Sequence, residues 1–155
     1  MKIYIMRHGE ASIAGPDTTR ALTPKGKQDV ARIVKFLQAA KVPVTAIWHS
    51  SKTRAFQTAQ VFSQGFGHNL PTEPHAGLNP DDSVEDFLRD LEAGAQDGLL
   101  IVGHLPFVDQ LVGRLTTDGQ GLPIHFQTGT LAALEGDFHS SFTLSWVIKP
   151  ELLPG

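Results

Sequence analysis

Two short apolar runs constrain the fold of this chain more than any other feature. The first is Ile-Tyr-Ile-Met at residues 3–6, and the second is Leu-Leu-Ile-Val at residues 99–102. A run that is apolar at every position, rather than at every second one, is typical of a strand buried on both faces. The two runs therefore favour central strands of a sheet that helices cover on both sides.

Helical patterns separate the predicted strands. Thr23 and Pro24 match an N-cap and a first helical position. The apolar residues that follow repeat with helical spacing and are Val30, Ile33, Val34 and Leu37. Pro43 ends this helix, and a second strand is predicted over residues 45–49.

Three further helices are predicted from their starts. Ser50 and Ser51 are expected to cap the second, which carries Ala55, Ala59 and Phe62 on one face. Ser83, with an acidic residue three positions later, fits a capping box for the third, and Pro106 suits the start of the fourth. The residues that break the chain around a short strand between the second and third helices are Gly65, Gly67, Pro71 and Pro74.

Two final strands are predicted over residues 130–134 and 142–148, and a loose tail over residues 150–155. The alternation of strands and helices predicts the α/β class, as a three-layer α/β/α sandwich with a mainly parallel central sheet. The 155 residues suit one domain, residues 1–155.

Composition limits the classes of function. The net charge of -3 does not suit a nucleic-acid surface, and the absence of cysteine excludes disulfides and thiolate chemistry. The first strand begins at once, which leaves no room for a signal peptide, and no apolar run approaches the ~20 residues of a membrane span. We expect a soluble, cytoplasmic monomer with no membrane partner.

Three polar residues follow predicted strands or begin the helices after them: His8, Arg54 and His104. In open α/β sheets, ligands bind beyond the carboxyl ends of the strands, so these residues are expected to meet at one edge. Two of them lie at helix N-termini, where free N–H groups favour an anion.

A phosphoryl group fits this set. It carries roughly -1.5 to -2 charges and three acceptor oxygens, which Arg7 and Arg54 could bind with their planar donor forks. His104 could donate a further hydrogen bond. His8 could attack phosphorus through an unprotonated nitrogen and form a phosphohistidine that water then hydrolyses. No metal or other cofactor is expected, because the arginines supply the positive charge.

Four segments carry a resemblance to a known family: Arg7–Glu10, Leu22–Gly26, Ser50–Ala59 and Val102–Pro106. In this order they resemble the histidine phosphatase superfamily, which has the phosphoglycerate-mutase-like fold. The resemblance implies that His8 is the nucleophile and that Arg7, Arg54 and His104 surround the phosphate.

A narrower resemblance is to the phosphohistidine phosphatases within that superfamily. The features that carry it are the short length of the chain, a compact loop with Asp17 and Arg20, the motif His-Leu-Pro at residues 104–106, and Phe-Gln-Thr-Gly-Thr at residues 126–130. It implies substrate contacts by Gly9, Asp17, Arg20 and Leu105. Ser51 departs from the family, in which proline commonly follows the serine, and this departure should alter only the helix cap.

A second departure bears on the substrate. Members that act on larger substrates carry a general-acid glutamate after a segment corresponding to residues 78–80, and no clear glutamate follows here. Asp81, Asp82 and Glu85 also fit a polar turn and a helix N-terminus. An imidazole, with a pKa of about 6.5, leaves more easily than an alkoxide, so a site without a dedicated acid suits phosphohistidine.

These patterns favour a metal-independent phosphatase that acts on phosphohistidine in a signal-transduction partner, such as a phosphorelay or phosphotransfer domain. One alternative is a phosphatase of small phosphomonoesters, with an acid supplied by Glu10, Asp17, Asp81 or Asp82. Another is a non-catalytic module that binds phosphate or phosphoproteins.

Simpler interpretations also exist for single residues. Arg54 could be a solvated helix residue, His104 a helix cap, and Asp17 with Arg20 a surface ion pair. The remaining histidines have no metal-ligand spacing and are interpreted as surface or core residues: His49, His68, His75, His125 and His139.

Overall fold

The computed structural model describes residues 1–66, 70–117 and 124–155. In these ranges one sheet contains six strands in the order β3-β2-β4-β1-β5-β6. The strands are β1 (Lys2–Arg7), β2 (Ala46–His49), β3 (Thr72–Pro74), β4 (Leu99–Gly103), β5 (Leu131–Gly136) and β6 (Phe142–Ile148). The helices of the same ranges are α1 (Pro24–Ala39), α2 (Thr53–Gly65), α3 (Val84–Gly94) and α4 (Phe107–Thr117).

The first four strands run parallel, which confirms the mainly parallel sheet. Ile5 of β1 pairs with Ile101 of β4 in parallel register. On its other side, Ile5 pairs with Ala132 of β5 in antiparallel register, and β6 is antiparallel to β5. The strand β1 therefore lies where the parallel part of the sheet meets the antiparallel part.

Alternating side chains of β1 build two cores, one on each face of the sheet. Ile3 and Ile5 pack with the apolar faces of α3 and α4. Tyr4 and Met6 pack on the other face with those of α1 and α2. The sheet therefore lies between two helical layers, and the continuous apolar run of β1 is explained by burial on both sides.

Two of the predicted helix caps are confirmed. The Thr23 hydroxyl accepts a hydrogen bond from Gly26 N at 2.9 Å at the start of α1. The Ser83 hydroxyl accepts one from Asp86 N at 3.2 Å at the start of α3.

The predicted cap of α2 is wrong. Lys52, not Ser50 or Ser51, is the N-cap residue, and it makes no side-chain cap hydrogen bond. The Ser50 hydroxyl lies instead beside the ring of His104, to which it is hydrogen-bonded. The start of α4 lies one residue beyond Pro106, after a cis Leu105–Pro106 peptide.

The prediction of a loose tail is also wrong in part. Residues Pro150–Leu152 form a 3-10 helix, and Pro150 is buried. The tail packs on Gly129, where an added Cβ would lie 2.8 Å from Pro150 Cγ. The break at Gly67 lies outside the described residues. None of the described helices has the length and apolar character needed to cross a membrane.

Candidate active site

The carboxyl ends of three neighbouring strands form the site. His8 follows β1, Ser50 follows β2 and His104 follows β4, and these strands are adjacent in the order β2-β4-β1. His8 N donates to Gly103 O at 3.0 Å, and Ser50 N donates to Val102 O at 3.1 Å. The sheet therefore brings together the predicted residues that are most distant in sequence.

His8 is buried, with 7% of its surface exposed. Its Nδ1 lies 2.7 Å from Gly9 O. Because a carbonyl oxygen only accepts, Nδ1 must carry the proton, which leaves a lone pair on Nε2. Burial, with Arg54 and Arg7 acting in the same direction, lowers the pKa of His8 to about 4. The ring is therefore neutral near pH 7, in the tautomer that a nitrogen nucleophile requires.

Arg7 is anchored beside His8 by the segment that precedes β5. Its NH1 donates to Phe126 O at 2.9 Å, while its Nε is buried without a hydrogen-bond partner among the described residues. Gly129 N lies 3.1 Å from Arg7 O and 2.9 Å from His8 O, so this segment also holds the backbone of both residues. Burial and the charge of Arg54 lower the pKa of Arg7.

The rings of His104 and His8 lie 5.0 Å apart, centroid to centroid. His104 is buried, and its Nε2 lies 2.7 Å from Ser50 Oγ. Its Nδ1 is buried with no partner in the described part of the chain. Burial, followed by the charge that His8 carries once it is protonated and by the charge of Arg54, lowers the pKa of His104 to about 3. A bound anion would oppose this shift by favouring the charged ring.

Arg54 lies in the first turn of α2 and is buried. Its NH1 donates to Asp17 O at 2.7 Å and its NH2 to Asp17 Oδ1 at 3.0 Å. Lys52 binds the other carboxylate oxygen of Asp17. The hydrogen bond from Lys52, with Arg54 adding to it, lowers the pKa of Asp17 to about 2, so this carboxylate is an anion near pH 7.

Arg20 does not join this cluster through any hydrogen bond or ion pair found among the described residues. Its Nε donates to Gly15 O at 3.2 Å within the same loop. The alternative of a surface ion pair between Asp17 and Arg20 is therefore wrong for the described contacts: the partners of Asp17 are Lys52 and Arg54.

The model of the histidine phosphatase superfamily, branch 1, matches residues 3–80, which include β1, the Asp17 loop and Arg54. This chain belongs to that superfamily. It is 31% identical to the phosphohistidine phosphatase SixA of Escherichia coli (strain K12), over 97% of this chain and 94% of that protein. It is 32% identical to a SixA homolog of Haemophilus influenzae, over 97% of each chain.

A solved structure of the protein histidine phosphatase SixA complexed with tungstate superposes with a TM-score of 0.87. The two chains are 28% identical, and the match covers 98% of this chain and 99% of that one. The phosphoglycerate-mutase-like α/β fold implied by the sequence motifs is thereby confirmed.

Gly9 has a packing role in this histidine phosphatase. An added Cβ would lie 2.8 Å from Val30 Cγ2 and 3.1 Å from Gly26 O, so the segment that follows β1 and α1 could not approach as they do. Gly9 N donates to Thr58 Oγ1 at 3.0 Å, and that hydroxyl donates to Arg54 O at 2.8 Å. The space that a side chain would occupy at Gly9 is therefore filled by atoms of the protein.

Leu105 is half-buried and packs against the core on the α3 and α4 side of the sheet. Its predicted substrate contact stays a prediction.

Sequence reasoning gave no site role to Ser50, Lys52 or Thr58. From sequence, Ser50 is identified only as a helix cap and as part of the segment Ser50–Ala59. Its position directly after a predicted strand is the signal that could have identified it as a site residue. Thr58 lies one helical turn after Arg54, on the same face of α2. No local pattern points to Lys52, because its partner Asp17 is 35 residues away.

The histidines outside the site have other contacts. His49 is buried, and its Nδ1 lies 2.8 Å from Ser50 O. His75 stacks on Trp48 with ring centroids 4.4 Å apart. His68 lies outside the described residues. Within residues 1–66, 70–117 and 124–155, no three His, Cys, Asp or Glu side chains are grouped so that they could hold a metal ion.

Proposed function

We propose that this protein is a metal-independent phosphatase that removes phosphate from phosphohistidine in a partner protein, through a covalent intermediate on His8. One observation carries the proposal: Gly9 O fixes the His8 tautomer and leaves a lone pair on Nε2, in a ring that feels the charges of Arg54 and Arg7 and lies 5.0 Å from the His104 ring. The names of the relatives, phosphohistidine phosphatase SixA and its homolog, support the substrate class.

In the first step, His8 Nε2 attacks phosphorus as the P–N bond to the partner's imidazole breaks. If the partner's ring carries a proton on its other nitrogen, it leaves as a neutral imidazole, and no proton has to be delivered. In this proposal Arg7 and Arg54 offset the phosphoryl charge, and His104 donates a hydrogen bond to a phosphoryl oxygen.

In the second step, water attacks the phosphorus on His8. The P–N bond breaks, its electron pair returns to Nε2, and both protons of the water leave with the product as dihydrogen phosphate. His8 regains its starting tautomer, because Nδ1 has kept its proton on Gly9 O throughout.

Three of the four carboxylates named as alternative acids, all but Asp81, already make hydrogen bonds within the protein, and this supports an imidazole leaving group. Glu10 Oε2 accepts from the Thr23 hydroxyl at 2.6 Å, and Asp82 Oδ2 accepts from Asn79 N at 2.8 Å. With its pKa lowered to about 2, Asp17 has no proton to donate near pH 7. An alkoxide leaving group would need such a donor.

The expected partner is a phosphorelay or phosphotransfer domain, with Arg20 and Leu105 among the residues that contact it. Action as a monomer belongs to the same proposal, since one chain supplies all three residues: His8 directly after β1, Arg54 in α2 and His104 in the turn before α4. A cytoplasmic location, where phosphorelay partners would meet it, completes the proposal.

The test compares His8→Asn with His49→Asn. The two histidines form a matched pair, because each is buried and each has Nδ1 on the carbonyl of the next residue. Asparagine keeps a donor for that carbonyl. With a phosphorylated histidine domain as substrate and EDTA present, we expect His8→Asn to lose activity by at least about a thousandfold and His49→Asn to keep it. Activity retained in His8→Asn, or abolished by EDTA in the unmodified protein, would contradict the proposal.

A parallel assay with a sugar phosphate tests the substrate class. Clear preference for the sugar phosphate would favour the phosphomonoesterase, and no turnover of either substrate would favour a binding module.

A further inference from the structure

The carboxylate of Asp17 bridges two cations of the candidate site. Its Oδ1 accepts from Arg54 NH2 at 3.0 Å, and its Oδ2 accepts from Lys52 Nζ. The main-chain carbonyl of Asp17 accepts from Arg54 NH1 at 2.7 Å. Arg54, which is expected to bind a phosphoryl group, is therefore already paired with a carboxylate of the protein itself.

The side chain of Asp17 is much more exposed than those of the two cations that it binds. The side chains of Arg54 and Lys52 are 11% and 13% exposed, while that of Asp17 is 49% exposed. Both cations come from the start of α2, which packs on the sheet. The carboxylate reaches them from the solvent side.

Polar contacts hold the segment that carries Asp17. We call residues 11–22 the strap. Its ends are paired by the bridge between Ala11 and Leu22, and Leu22 is buried. The 3-10 helix Asp17–Thr19 in its middle has no buried residue, and Ile13 is 91% exposed. Displacement of the middle of the strap would therefore cost hydrogen bonds and ion pairs but little apolar burial.

Lys52 lies close enough to His104 to act on it. Its positive charge contributes to the lowered pKa of His104. Its main-chain N–H also donates to Ser50 Oγ at 3.3 Å, the hydroxyl that binds the His104 ring. Lys52 thus belongs to the same polar cluster, with an ammonium group engaged by Asp17.

We propose that Asp17 occupies the place of the phosphoryl group in the free protein, and that an incoming phosphoryl group displaces it and binds Lys52 together with Arg54. This inference rests on the proposed function for the location of the phosphate. A phosphoryl group has a larger negative charge than a carboxylate and three acceptor oxygens instead of two, so it competes well for the two cations. Lys52 becomes a third phosphate-binding cation beside Arg7 and Arg54. Competition from Asp17 then sets the affinity for phosphate.

Calorimetric titration with inorganic phosphate at low salt tests this. Asp17→Asn keeps the size of the side chain but removes its charge, so phosphate should bind more tightly by at least about threefold, and Lys52→Met should weaken binding by a similar factor. In the double variant, the gain from Asp17→Asn should shrink, because one of the released cations is gone. Glu92→Gln, a loss of charge on the exposed face of α3, serves as the control and should leave binding unchanged.

Weaker phosphate binding by Asp17→Asn would show that Asp17 positions Arg54 for the ligand, and would overturn the inference. Unchanged binding in Lys52→Met would overturn it as well. Thermal unfolding of each free variant checks that the fold is intact. Since phosphate binding is measured without turnover, failure of the proposed function appears separately, as absent hydrolysis of phosphohistidine by a protein that binds phosphate.

Discussion

The burial of His8 makes the stability of the free protein depend on pH in a way that can be calculated. Its pKa falls from an ordinary value of 6.5 to about 4, chiefly by burial. The unfolded chain therefore takes up a proton more readily than the folded one. The contribution of His8 to stability is complete above its ordinary pKa, and is lost as the pH falls toward the folded value.

The size of the effect follows from the two pKa values. At about pH 5, an unfolded His8 is almost fully protonated, whereas the folded one is about one-tenth protonated. Between about pH 7 and pH 5, the free energy of unfolding should therefore fall by roughly 2 kcal/mol on account of His8 alone. His104 and the carboxylates make their own contributions, so the effect must be measured as a difference.

His8→Asn provides that difference. It removes the titrating ring and keeps a donor for Gly9 O. Urea denaturation in phosphate-free buffer, at several pH values between about 5 and 7, gives the free energy of unfolding of both proteins. The unmodified protein should lose roughly 2 kcal/mol more than His8→Asn over this range. Equal slopes for the two proteins would refute the reasoning and mean that His8 titrates as an exposed histidine does.

Three further substitutions, with Thr116→Val as a matched control for one of them, test the packing around the site and a helix start. Gly9→Ala should lower the free energy of unfolding by about 1–3 kcal/mol in urea denaturation, because its Cβ would lie 2.8 Å from Val30 Cγ2. Thr58→Val should cost about 1–3 kcal/mol in the same assay, because Gly9 N would lose its acceptor. The Thr116 hydroxyl also donates to a helix carbonyl, Val112 O at 2.7 Å, but it accepts no hydrogen bond from the described residues, so Thr116→Val should cost less. Ser83→Ala should cost about 1 kcal/mol by thermal unfolding, through loss of the α3 cap.

The glycine and threonine predictions each have a clear contrary result. An unchanged free energy of unfolding for Gly9→Ala would mean that the segment after β1 and α1 can separate without cost. Equal losses for Thr58→Val and Thr116→Val would mean that the acceptor for Gly9 N is unimportant.

The fold was largely predictable because it depends on patterns that are local in sequence. The apolar runs at residues 3–6 and 99–102 identify central strands, and both become central strands, β1 and β4. His8 and His104 follow those strands, so the edge where they meet could be predicted from the same patterns. The helix starts at Thr23 and Ser83 depend on contacts three residues apart.

The remaining features depend on contacts that no local pattern records. Lys52 meets Asp17 across 35 residues, and Ser50 meets His104 across 54. Serine is a residue type that often caps helices, but the Ser50 hydroxyl binds the buried imidazole of His104, and α2 begins only after Lys52. The tail was expected to be loose because it is short and terminal, yet Pro150 is buried against Gly129.

The antiparallel strand beside β1 has a consequence for how such a site can be assembled. Parallel strands deliver to the catalytic edge only those residues that come after a strand. Because β5 runs the other way, the residues before it reach the same edge, and Phe126 O holds Arg7 there. The site therefore draws on two directions of the chain. Substitutions in the segment before β5 could therefore change the hydrogen bond that holds Arg7 without altering β1, the strand that His8 follows.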